Sequence, residues 1–159
     1  MFGRRTKGSG SGGRILFPFL GASVSSRTLE GALRLAAVQD ATLVPAYIAM
    51  VPMDRSLEAP IQAECEVAMP LLETIEQKAR RAHVAVDTRI ERARDPRHGL
   101  ELLLEHERFD RIVVSAATST SEGFASEDVA WLLSNAPAEV IVIRPTPPVS
   151  SDLSGSEVA

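Results

Sequence analysis

Five short apolar runs, separated by stretches of helical periodicity, limit what this chain can become more than any other feature of it. Residues 15–19 form the first run, close before Gly21, and read as a buried strand. The second, 41–50, mixes β-branched and aromatic side chains. Pro45 inside it is awkward for a central strand and predicts a bulge or a place where the ladder has not begun. The third places Val84, Val86, Thr88 and Ile90 in alternation with Ala85, Asp87 and Arg89, which predicts a strand with one face or one edge exposed. Residues 112–114 read as a buried strand and 140–143 as the last strand.

Helices fill the intervals. Ser25 or Ser26 can cap the first, whose apolar face is Leu29, Ala32, Leu33, Ala36 and Ala37. Pro60 suits the first turn of the second, which carries Ile61, Cys65, Ala68, Met69, Leu72, Ile75 and Ala79 and which Pro70 should kink. Asp95-Pro96 is a cap followed by proline at the first helical position, opening a helix with Leu100, Leu103 and Leu104. Ser126 can cap a fourth helix bearing Val129, Leu132 and Leu133 and ending near Asn135 and Pro137. Strands alternating with helices predict a mainly parallel sheet covered on both faces. Ligands of such sheets bind beyond the carboxyl ends of the strands at the switch point, which here means the loops 20–25 and 115–126.

The folded unit is expected at 14–145. Residues 1–13 are rich in Gly, Ser and basic residues, and 146–159 in Pro and Ser, so both are expected to be disordered. A net charge of -4 lacks the basic excess of a nucleic-acid binder. No apolar run approaches the roughly 18 to 20 residues of a membrane span. Arg4, Arg5 and Lys7 precede an apolar stretch that Pro18 interrupts and that is shorter than the roughly 7 to 15 residues of a signal-peptide core. A lone cysteine, Cys65, allows no intrachain disulfide and suits a cytoplasmic protein.

Motifs for chemistry are few. There is no G-x-x-x-x-G-K-[ST] phosphate loop, no G-x-G-x-x-G after a strand and no G-x-S-x-G elbow. His83, His98 and His106 are scattered and read as solvated helix residues, with His98 and His106 too far apart for one metal ion. Cys65 lies on an apolar stripe and reads as core, and Trp131 as a packing or dimer contact. The chain is therefore expected not to be an enzyme.

Three local words carry a resemblance. Ile15-Leu16-Phe17-Pro18-Phe19-Leu20-Gly21 resembles the opening I-L-V-P-V-D-G of the universal stress proteins. Phe109-Asp110-Arg111-Ile112-Val113-Val114-Ser115 is similar to their fourth strand, A-D-L-I-V-M-G, and 135–145 to their closing H-A-P-C-P-V-L-V-V-R-P. The resemblance implies a five-stranded parallel sheet in order 3-2-1-4-5 with helices on both faces, Rossmann-like and of the adenine nucleotide alpha hydrolase type. It also implies a homodimer through the last strand, from Glu139 to Arg144, with Val140 and Val142 in the contact, since an exposed apolar edge is a template for pairing.

Members of that family bind ATP or AMP or have lost the ability. Binders carry an aspartate where this chain has Leu20, and a G-x-x-G-(nine residues)-G-[ST] loop where it has Ser115, Thr118, Ser126 and Glu127. Only seven residues separate Thr118 from Ser126, two short of that pattern. The family-equivalent positions are Leu20, Gly21, Ile48, Ser115, Thr118, Ser126 and Glu127. Side chains in place of glycine block phosphate from backbone N–H groups. Glu127 and Asp128, with Glu122 nearby, would repel a triphosphate at the helix start. The expectation is a non-enzymatic regulatory or scaffold domain without a cofactor. An adenine-nucleotide sensor using altered contacts, with ATP or AMP as ligand, is the alternative.

Overall fold

β1 (Arg14–Phe19) can lie at the centre of a sheet because every residue after Arg14 is buried and none of those five is charged. In the computed structural model, which describes residues 12–21, 23–60, 62–118 and 123–145, it pairs in parallel with β2 (Thr42–Met50) on one side and β4 (Arg111–Ser115) on the other. β3 (Arg89–Ala93) lies outside β2 and β5 (Glu139–Ile143) outside β4, both parallel, giving the order β3-β2-β1-β4-β5. This is the five-stranded architecture expected from the sequence.

Successive residues of a strand point to opposite faces. Ile15, Phe17 and Phe19 accordingly join a core with α1 (Ser26–Gln39) and α2 (Gln62–Arg81), while Leu16 joins a second core with α3 (Pro96–His106) and α4 (Ser126–Asn135). The chain thus changes faces after β3, and the crossovers leaving β1 and β4 go to opposite sides of the sheet.

Local signals explain most element ends. Ser25 caps α1, its Oγ accepting from Thr28 N–H, and Asp40 closes that helix in the left-handed region at φ 50°. Asp95 caps α3 by accepting from His98 N–H at 2.8 Å. α2 runs unbroken through Pro70, whose carbonyl accepts from Thr74 Oγ1 at 2.9 Å. Several expected details differ. Ser126 is the first residue of α4 and does not cap it; Ala125 holds the cap position with no side-chain bond. Ala37, Met69 and Leu133 turn outward although they sit at apolar positions of their helices.

Pro45 sits inside β2, paired with Phe17 and without a bulge. Leu43 donates to Ala85 O and accepts from Asp87 N–H, so its backbone polar groups face β3, and so does the nitrogen of Pro45 two residues on. The β2–β3 ladder is interrupted there, between the Leu43–Val86 bridge and the pairing that begins at Ala46 and Arg89. The register is the same on both sides of the gap, so Pro45, which has no N–H to donate, interrupts the ladder without shifting it. β3 proper starts at Arg89, later than the alternation from Val84 suggests. Gly12 and Gly13, which the sequence places in the N-terminal segment, are bonded to the sheet end: Gly12 N–H donates to Asp40 O and Gly13 O accepts from Thr42 N–H. The remainder of the two terminal segments, 1–11 and 146–159, lies outside the described residues.

Asp87, expected on an exposed face, is only 2% exposed. Both its oxygens are held by the Arg89 guanidinium, at 2.5 and 2.9 Å, and Arg14 reaches it at 2.8 Å. Burial works against its charged form, but the two guanidinium groups prevail and keep its carboxyl below the usual range. A carboxyl whose folded pKa is depressed contributes stability above the unfolded pKa of about 3.9 and loses it as pH falls through the folded value. Asp87→Asn should therefore lower stability by on the order of 2 kcal/mol at pH 7. Thermal melts should show the gap to the unaltered protein narrowing by pH 3, and a gap independent of pH would contradict the account.

Candidate functional site

Where neighbouring strands send their crossovers to opposite faces, the loops beyond their carboxyl ends part and leave a crevice. Here that place lies between β1 and β4. Leu20, Ser23, Val24 and Ser25 line it from the first loop, and Ser115, Gly123 and Phe124 from the second, over a floor of Phe17 and Phe19. The cavity left among them is about 20 Å³, room for about one water.

Phe124 is the reason it is so small. Its ring is 1% exposed, and its backbone is tied in at both ends. Phe124 N–H donates to Ser115 O and Phe124 O accepts from Ala117 N–H, each at 2.8 Å, forming a parallel bridge with Ala116. Gly123 makes the crossing possible, since a Cβ there would stand 2.6 Å from Ser115 O and 2.8 Å from Ala117 N. Gly123 serves a close backbone approach, where the sequence offers only loop freedom.

That closure uses the groups an anion would need. Ala117 and Phe124 donate within the loop, and Ala116 N–H donates to Ile143 O at 2.9 Å. At the start of α4, Asp128 and Val129 N–H both donate to Ala125 O. Glu127 and Asp128 occupy the first turn. Partial burial raises the Asp128 carboxyl above its ordinary range; Arg97, 4.0 Å away, pulls it back, and Asp95 and Glu127 push it further up. Arg97 also lies over the Trp131 ring at 5.9 Å, so its cation is held between α3 and α4, and Trp131 is a packing residue.

Of the positions singled out in the sequence, Leu20 and Ser115 meet in the crevice, the Ser115 Oγ buried there without a hydrogen-bond partner among the described residues. Gly21 turns the first loop at φ 87°. Thr118 is half-buried outside the lining, and Ser126 and Glu127 are exposed on the first turn of α4. Ile48 lies elsewhere: it is buried on the α3 face against Gly99, where any Cβ would meet its Cγ2 at 2.5 Å. Ser119, Thr120, Ser121 and Glu122 lie outside the described residues. Phe124 and Val24 were missed by sequence reasoning. A lone phenylalanine between Gly123 and Ala125, in a loop otherwise made of small and polar residues, is the signal that could have found the plug.

The histidines stay apart from the crevice. His98 is not simply solvated, since its Nδ1 accepts from Arg94 N–H at 3.1 Å and helps close the turn before α3. Cys65 is half-buried beside the core of α1 and α2. Among the described residues no group of three or more His, Cys, Asp or Glu is placed to hold a metal ion.

The chain was compared with known proteins. A model described as the universal stress protein family matches residues 13–150. A universal stress protein family member from Burkholderia pseudomallei has a similar structure: 25% identity, TM-score 0.63, covering 87% of this chain and all of that one. A universal stress protein in complex with cAMP superposes at 18% identity and TM-score 0.56, over 84% and 97% of the two chains. One from Arabidopsis thaliana with AMP bound does so at 14% and 0.58, over 89% and 97%. The last two likenesses concern the fold. Among proteins of curated function, none matches at a significant level.

Truncating the plug tests its part in the structure. Phe124→Ala should cost about 3 to 5 kcal/mol of unfolding free energy, as for other fully buried phenylalanines. Urea denaturation would check this, and a loss below about 1 kcal/mol, the scale of a surface substitution, would show that the ring fills no essential space.

Proposed function

The chain belongs to the universal stress protein family, and we propose that within it this domain is a non-enzymatic regulatory or scaffold module that does not bind ATP. The observation that carries the reading is the crevice itself, filled by Phe124 and reduced to about the space of one water. Nucleotide would need a polar partner for the adenosine, bare N–H groups for the phosphates and a neutral or positive surrounding. In their place stand Leu20, a loop in which Ala116, Ala117 and Phe124 donate within the fold, and the first-turn carboxylates Glu127 and Asp128. The polar side chains that line the crevice, among the described residues, are serines, with no acid or base beside them to take a proton. A cytoplasmic place goes with this reading. No helix among the described residues is long and apolar enough to cross a membrane.

Relatives described with cAMP and AMP make adenine nucleotides the ligands to try first. Each missing contact is worth about 1 to 3 kcal/mol, and partial additivity moves a micromolar site towards millimolar. Titration calorimetry with Mg-ATP, ATP and AMP should find no dissociation constant tighter than about 100 μM. A low-micromolar constant would favour the other reading, a sensor of adenine nucleotide with altered contacts, in which the unpartnered Ser115 Oγ would be the first group to look at.

The same proposal includes a homodimer through the outer edge of the sheet. β5 leaves Val142 37% exposed and Val140, Ile141 and Ile143 half-covered, an apolar edge of the kind that pairs with a second copy. Light scattering at high micromolar concentration should report a dimer, and Val142→Pro, which removes an edge donor, should yield monomer or aggregate. An unaltered protein that stays monomeric would refute the pairing.

A further inference from the structure

A second cavity, of about 150 Å³, lies between β3 and α3 at the end of the sheet opposite the crevice. A cavity of that size holds a benzene ring. Arg89, Glu91, Leu103, His106, Glu107 and Phe109 line it. Arg89 and Glu91 share one face of β3, two residues apart, and Leu103 and Phe109 are buried apolar walls.

Its charges do not balance. Arg89 holds Asp87 with both ends of its guanidinium and lies 3.6 Å from Glu107, while Arg14 bridges the same two carboxylates at 2.8 and 2.6 Å. Those two cations and two anions satisfy one another. Glu91 is left over. Its side chain is only 10% exposed, yet its one ion-pair partner among the described residues is the half-exposed His106, whose Nδ1 stands 3.6 Å away, too far for a hydrogen bond. Burial raises the Glu91 carboxyl above its ordinary range, and His106 and His98 only partly offset this. A largely buried carboxylate whose one ion-pair partner among the described residues stands 3.6 Å away is stabilised by any cation that can reach it.

We propose that this cavity binds a small organic cation, an ammonium or amidinium on a ring of about benzene size, with Glu91 as counter-ion and Leu103 and Phe109 enclosing the apolar part. A divalent metal ion fits less well. Among the described residues no three His, Cys, Asp or Glu are placed to hold one, the other carboxylates here are engaged by arginine, and the Arg89 guanidinium repels a dication. This site is separate from the crevice and does not depend on the reading given to it.

Benzylamine and benzyl alcohol, alike in shape and different in charge, are suitable probes. In NMR titrations of the full chain at pH 7, benzylamine should shift the amides of Glu91, Leu103 and His106 with a dissociation constant of about 1 to 5 mM, in keeping with the affinity of so small a ligand. Benzyl alcohol should bind at least about tenfold more weakly, the loss of roughly one charge-assisted bond. Glu91→Gln should abolish the discrimination, while Glu105→Gln, on the exposed side of α3, should leave it intact. Absence of saturable shifts, equal binding of the two probes, or undiminished discrimination in Glu91→Gln would each overturn the proposal. If Glu91→Gln fails to fold, the comparison of amine with alcohol in the unaltered protein decides by itself.

Discussion

A central parallel strand has no face to give to water, and β1 obeys that constraint from Ile15 to Phe19. Helices must then be laid on both sides, which is only possible if the chain passes from one face to the other. It does so after β3, and the crevice between β1 and β4 is the geometric result. The candidate site is thus a by-product of burying Ile15 to Phe19. What fills it was decided separately, by the loop after β4.

That loop shows how the crevice of such a sheet can be filled as core. Its backbone crosses over itself at Gly123, forms an extra bridge at Ala116 and delivers an aromatic ring into the crevice. The N–H groups of Ala116, Ala117 and Phe124 each have a partner inside the fold. The acids at the start of α4 occupy the positive end of the helix dipole, and Arg97 ties one of them to α3. A weakly matched charge sits instead at the far end of the sheet, in Glu91 beside His106. The two ends of the sheet differ in character, one closed and largely apolar, the other hollow and polar.

How much of this was legible depended on whether a residue's role was local. Alternating apolar runs and helical stripes sufficed for the element order, because periodicity reports burial directly. Asp95-Pro96 and Ser25 announced their helices because a cap bonds within its own turn. Asp87 could not be read correctly, since what buries it are Arg14, 73 residues away, and the fork of Arg89. Ile48 was placed with the ligand positions, yet its direction is set by the pleat of β2 and by the absence of a side chain at Gly99, neither visible from its neighbours in sequence. The substitutions at Leu20 and Ser115 were visible, but the ring that closes the crevice comes from a residue that no motif marks.

Pro45 has a consequence for how the edge of the sheet is held. The register of β2 against its neighbour is the same on both sides of it, Leu43 opposite Val86 and Ala46 opposite Arg89. The missing hydrogen therefore interrupts the ladder without shifting it. Beside that interruption lies Asp87, whose N–H is bonded to Leu43 O and whose carboxylate is gripped by Arg14 from β1 and by Arg89 from β3. Side-chain charge thus stitches the edge strand at the place where the backbone leaves out a stitch.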